Sequence, residues 1–166
     1  MRKILIAVLS VLVFCYSAIT FEKTFGKEWN DHANSVIQTS DGGYLLTGCE
    51  TDSLDYKYSF FKVEKLSRFG DSEWEAGASD QIGCWEKADV GHSVIQTSDG
   101  GYAFAGNLYS IGQMGVINTE VFVAKTDKQG SLQWDNLIWD GGHGFRFGYD
   151  IIETEDGGFL IIGESM

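Results

Sequence analysis

Apolar and polar positions alternate in short runs along this chain, and turn residues separate the runs. SVIQT at 35–39 and YLLTG at 44–48 flank Asp41-Gly42-Gly43, and the ten residues SVIQTSDGGY return unchanged at 93–102 ahead of AFAG. A β-branched run, an Asp-Gly pair and a second apolar run predict a hairpin. Asp and Gly would be its two central residues, where positive φ is required. SFFKVEKL at 59–66 and EVFVAKTD at 120–127 predict a third strand in each copy, with Phe61 and Val63 matching Val121 and Val123. A turn ending at Gly70 or Gly130 leads to a fourth strand that carries Trp74 or Trp134. Beyond the N-terminus no segment sustains a helical period.

The landmarks recur at a nearly fixed interval. Asp41, Asp99 and Asp156 open Asp-Gly-Gly triplets, completed by Gly42 and Gly43, Gly100 and Gly101, and Gly157 and Gly158, at spacings of 58 and 57 residues. An aromatic follows each glycine pair (Tyr44, Tyr102, Phe159), and a further glycine falls seven positions after each Asp (Gly48, Gly106, Gly163). SRFGDSEW at 67–74 matches DKQGSLQW at 127–134 in the same step. Four antiparallel strands per unit of this length predict an all-β chain of β-propeller blades. The repeats would run over about 33–90 and 91–147, with a partial one at 148–166. FEKTF at 21–25 reads as the last strand of a preceding blade. Two complete blades and pieces of others do not close a ring, because propellers use about four to eight. The chain is expected to be a fragment of a longer gene, to close by self-association, or to persist as an open arc. A bare blade face and an unpaired strand edge both invite association. The triplet aspartates serve the turn in this scheme, since Ca²⁺ loops need several oxygen ligands closely spaced.

SVIQTSDGGYLLTG together with the KxxxxGxxxW segment resembles the DGGY-type β-propeller repeats of secreted bacterial and archaeal proteins, over residues 21–166. The resemblance implies the fold and no particular ligand, because that family is defined by blade-building residues. TFG at 24–26 is similar to the usual junction between two such repeats. Asp127, Gly130 and Trp134 are similar to the tryptophan-docking motif of quinoprotein propellers, which implies interblade packing for Trp74 and Trp134. No cofactor-binding cluster accompanies that motif, and no cofactor is expected.

Composition adds an address. With 12 basic and 24 acidic residues the formal charge is −12, which repels nucleic acid and anionic lipid surfaces. Hydrophobic residues at 43% supply a packed core, and 21 glycines with no proline suit a chain of tight turns. Met1-Arg2-Lys3 followed by ILIAVLSVLVF at 4–14 reads as a secretory signal peptide over 1–18. That apolar run is too short to span a bilayer as a helix. An uncleaved anchor is the competing reading. With the signal removed, no membrane span remains, and the product is secreted, periplasmic or at the cell surface. It keeps two cysteines, Cys49 and Cys84, as candidates for a disulfide in an oxidising compartment. Spacing alone does not show that they meet.

Candidate chemistry is sparse. His32, His92 and His143 have no second His or Cys at ligand spacing, so no metal site is expected. A G-x-S-x-G elbow and a phosphate-cradling glycine loop are both missing. The copies differ most at 49–58 against 107–119 and at 78–92 against 140–149. Those connections hold Tyr56, Tyr58, Trp85, Tyr109 and Trp139, which either contact a ligand or lie buried between blades. The expected role is a binding or surface-scaffold module for an extracellular protein or glycan, with no catalytic residue. The competing class is a segment of a propeller enzyme, glycan-cleaving or quinone-dependent.

Overall fold

A computed structural model describes residues 22–24, 31–51, 59–78, 89–111, 117–138 and 144–166. Among them the only regular elements are strands, and the signal segment at 1–18 lies outside them. β1 (His32–Gln38), β2 (Tyr44–Thr51), β3 (Ser59–Leu66) and β4 (Ser72–Ala78) form an antiparallel meander in that order. β5 (Val90–Gln96), β6 (Tyr102–Ile111), β7 (Ile117–Thr126) and β8 (Leu132–Ile138) form a second sheet of the same order. β9 (Arg146–Glu153) and β10 (Phe159–Ser165) pair as an antiparallel hairpin. Among the described residues no sheet closes on itself.

Two local expectations change. The hairpin turn is closed by a hydrogen bond from the Gly42 amide to the Thr39 carbonyl, and Thr39 pairs with Gly43. Ser40 and Asp41 are therefore the central pair, and Gly42 follows them at φ 83°. This is a three-residue loop, in which only the residue after the turn needs the left-handed region. Gly100 and Gly157 take the same position at φ 83° and 80°. The second change is strand length. β6 and β7 stay paired out to Ile111 and Ile117, so most of the connection expected at 107–119 is sheet. Of FEKTF only 22–24 are described; they form no strand, and Lys23 there ion-pairs with Asp71 in the β3–β4 turn.

The sheets stack face to face, with β5 against β1, β2 and β3, and β9 against β5, β6 and β7. Strand alternation assigns each residue to one neighbour or the other. Tyr102, Phe104, Phe122 and Val94 of the second sheet meet Leu45, Phe61 and Val63 of the first. Ala103, Ala105 and Val123, on the opposite face, meet Ile151 of the hairpin. Phe61 is the knob of the first junction, 5.7 Å and 5.4 Å from the Phe104 and Phe122 ring centroids. It fits because Gly106 lies beneath it: a methyl group there would come within 2.5 Å of the ring. Farther out, Trp74 on β4 sits 5.6 Å from Tyr102 and flat against Gly130. Trp134 repeats the contact with Phe159 at 5.5 Å.

The duplicated decapeptide isolates what a neighbour contributes. Val36, Val94 and Ile151 occupy the same position in successive hairpins and face the preceding sheet. Val36 has no described sheet before it and is 64% exposed, whereas Val94 is 2% and Ile151 1% exposed. The opposite face behaves the same way at the other end. Leu45 and Ala103 are fully buried, while Leu160, their counterpart on β10, is 54% exposed.

Val94→Ala therefore lowers unfolding free energy by about 2 kcal/mol, from lost burial and the space left behind. Val36→Ala, in an identical ten-residue context, changes it by less than about 0.5 kcal/mol. Urea titration of the two variants measures both. Equal losses would mean that the two faces do not differ in burial.

Candidate functional site

Each Asp-Gly-Gly turn is built around its carboxylate. Asp41 Oδ1 accepts from the Thr39 hydroxyl at 2.5 Å and the Gly43 amide at 2.8 Å. Asp99 accepts from Thr97 at 2.6 Å and Gly101 at 3.0 Å, and Asp156 from Thr154 at 2.5 Å and Gly158 at 3.2 Å. The first two turns carry a further partner from the third strand. Lys65 Nζ lies 3.0 Å from Asp41 and 3.0 Å from Glu73. Lys125 Nζ lies 2.5 Å from Asp99 and donates to Gln133 at 2.6 Å. One buried ammonium thus ties the β1–β2 turn to β3 and β4, and the second does the same for β5–β6, β7 and β8. KxxxxG in both copies was the signal for these lysines, but nothing in the linear spacing shows that the lysine reaches back to the turn.

The charges follow this geometry. Burial works to raise the Asp41 carboxyl, but hydrogen bonds from Thr39, the Gly43 amide and Lys65 outweigh it and bring its pKa to about 2. Asp99 is held well below the carboxylate range, first by Lys125 and then by Thr97 and Gly101. Burial works to lower the Lys65 pKa, and Asp41 and Glu73 raise it past the ordinary value. Each carboxylate accepts from the hydroxyl and the amide of its own turn, and so acts as a turn clamp. Among the described residues no group of three His, Cys, Asp or Glu side chains could hold a metal ion.

Polar contacts also join successive units. Gln96 accepts from the Ser40 amide of the preceding turn at 2.8 Å, and Glu153 accepts from the Ser98 amide at 2.6 Å. Asn34 donates to the Gly91 carbonyl at 3.0 Å, and Ser93 to Asp150 at 2.6 Å. None of these stitches was anticipated from the sequence, although Gln38 and Gln96 stand at the same position of the repeat.

The expected ligand-contacting aromatics fare differently. Tyr109 is a strand residue of β6, 3% exposed, and its amide is held by Asp89 at 2.8 Å, so it is not a loop residue offered to a ligand. The physical reason is the longer β6–β7 ladder. Tyr56, Tyr58, Trp85 and Trp139 lie outside the described residues, as do Cys84 and His143. Cys49 is buried on β2, and burial raises its pKa; its pairing with Cys84 falls outside what is described. His32 is exposed on β1. His92 packs edge-on to Tyr149 at 5.6 Å, and burial lowers its pKa against the hydrogen bond with Asn107.

A cleft of about 560 Å³ opens between the outer parts of the first two sheets, lined by Ala76, Phe104, Leu108, Phe122, Leu132 and Leu137 among others. Among the described residues on its wall Asp135 is the ionisable one. Such a cleft can hold an apolar side chain. No protein-family model matches the chain, and no curated protein sequence matches it significantly.

If the clamps carry charge, stability depends on pH. Asp41 has an ordinary pKa of 3.8 and a folded value of about 2, so its contribution is complete above about pH 4 and fades as pH falls toward 2. An Asp41→Asn/Asp99→Asn chain is expected to unfold with a flatter acid limb between those values. At pH 7 Asp99→Asn costs about 1 kcal/mol, because the aspartate is half exposed and its pairing is screened. Asp156→Asn, with no lysine at its turn among the described residues, costs less. Circular dichroism across an acid titration measures this, and an unchanged limb in the double variant would exclude the turn carboxylates as its source.

Proposed function

We propose that the chain is a segment of an exported β-propeller, acting as a rigid binding or surface-scaffold module for an extracellular protein or glycan. The supporting observation is the stack itself: two four-stranded antiparallel meanders of the same order and a hairpin, the second meander and the hairpin burying the same repeat positions against the sheet before them. Sheets stacked in this way hold their turns at fixed positions, so recognition belongs to the connections between strands. The connections that differ between copies are the place for a ligand, and the 166-residue charge of −12 excludes polyanions as that ligand. Asp41, Asp99 and Asp156 serve their own turns, and Gln96, Glu153, Asn34 and Ser93 join successive units, so these groups support the scaffold reading.

Purified protein applied to a glycan array and to extracellular protein extracts is expected to retain a ligand. Trp85→Ala and Trp139→Ala in the variable connections weaken that binding, while Tyr109→Phe leaves it unchanged. A panel of glycosidase substrates is the opposing test. Hydrolysis that disappears on substituting one specific Asp or Glu would replace the scaffold with an enzyme.

A further inference from the structure

The cleft between the first two sheets originates in β4. Ala76, Gly77 and Ala78 pair with Val63, Lys62 and Phe61. At the same places of the second sheet β8 carries Asn136, Leu137 and Ile138, opposite Val123, Phe122 and Val121. Three small residues on the β4 wall leave the facing wall uncovered, and the opening of about 560 Å³ lies between two four-stranded sheets. Phe104, Phe122 and Ala124 are its buried apolar floor, and Leu132 and Leu137 are exposed lips. That volume falls among small-molecule sites, which span about 300–1,000 Å³.

The polar groups of the cleft gather at the end near the β7–β8 turn. Asp135 pairs with Ala124, and Thr126, two residues farther along the same face of β7, pairs with Leu132. Asp135 is exposed, and no cation pairs with it among the described residues. Thr126 is buried, and its hydroxyl oxygen has no hydrogen-bond partner among the described residues. A buried hydroxyl without a partner is costly, and rotation about one side-chain bond turns it toward the cleft. From this end the apolar floor runs along β6 from Phe104, which pairs with Ala124, to Leu108. Four residues of strand span about 13 Å.

We propose that the cleft binds a linear alkylammonium, with its chain along the floor between Phe104 and Leu108 and its amine between Asp135 and Thr126. The apolar chain covers Phe122 and the two leucine lips, which are otherwise open to water. The ammonium pairs with Asp135 and donates to the Thr126 hydroxyl, giving both groups the partner they lack. Charge selects the head group: the chain carries −12 overall, so it attracts a cation and repels a fatty carboxylate of the same length. This site is separate from the variable connections proposed for recognition, and its failure would leave that reading untouched.

The probe is decylamine, titrated against the full chain below its micelle concentration, with amide chemical shifts and calorimetry as readouts. One molecule is expected to bind per chain, with shifts concentrated at Ala76, Ala124 and Leu137. Decanoate binds more weakly than the amine. Asp135→Asn, an exposed change that leaves the fold intact, weakens decylamine about threefold and narrows its advantage over decanoate. Ala76→Leu, which puts a bulky side chain on the β4 wall, abolishes binding; if that variant does not fold, Asp135→Asn still decides. No binding at about 5 mM decylamine overturns the proposal, and so do equal affinities for amine and carboxylate or shifts centred elsewhere. Several molecules bound per chain with no effect of Asp135→Asn would also overturn it, because that is general adsorption of a cation on an acidic surface.

Discussion

A β-sheet with apolar side chains on both faces can bury them only between two neighbours, and everything in this chain answers to that requirement. The decapeptide SVIQTSDGGY folds to the same hairpin twice, so local sequence alone determines its backbone. Burial is another matter: Val36 and Val94 differ by the presence of a sheet in front of them and by nothing in their surrounding ten residues. Stability in such a stack is a sum of unit terms and nearest-neighbour interface terms. The interface terms are large at the first junction, which buries Phe61 and packs Trp74 on Tyr102; at the second, Trp134 meets Phe159 while staying exposed.

Stacking alone would leave each sheet free to shear. The buried lysines oppose that within a unit, since one ammonium bonded to a turn carboxylate and to a fourth-strand side chain spans the sheet from first turn to outer edge. The Gln96 and Glu153 contacts oppose it between units, joining the end of one first strand to the turn of the sheet before. A lysine without its aspartate keeps only its fourth-strand partner, Glu73 or Gln133, and its buried ammonium is less well compensated. The clamp is therefore also a specification, because sheet registers that separate Lys65 from Asp41 leave that charge stranded.

Much of this was legible in the chain. Strand count, order and the third-strand boundaries at 59–66 follow from alternation and glycine spacing, since both are local consequences of the pleat and of turn geometry. The turn class was misassigned because Asp-Gly is a strong two-residue signal. Only the closing hydrogen bond from Gly42 to Thr39 reveals the extra residue. Tyr109 was misplaced for a different reason. A ladder extends as long as its partner does, and pairing between Ile111 and Ile117 is a property of two segments together. Lys65 and Lys125 were visible as a motif but not as clamps, since their partners lie 24 and 26 residues upstream and meet them only through the sheet. The aromatic connections, where the proposed ligand would bind, carry no repeat constraint at all, and that freedom is why their sequence diverges.

The shape of the junctions bears on the proposed propeller. Near the first strands the sheets touch closely: the Phe61 ring rests on Gly106, and Asn34 bonds directly to the Gly91 carbonyl. Toward β4 and β8 they part around a cleft of about 560 Å³. A stack that is tight at one edge and open at the other is a wedge, and wedges added in sequence curve about the tight edge. The knob size tunes the angle. At the second junction Val121, smaller than Phe61, lies over Gly148, and the first strands draw together through Ser93 and Asp150. Glycine at Gly106 and Gly148 is therefore as much a determinant of the close edge as Phe61 and Val121, the side chains that rest on them.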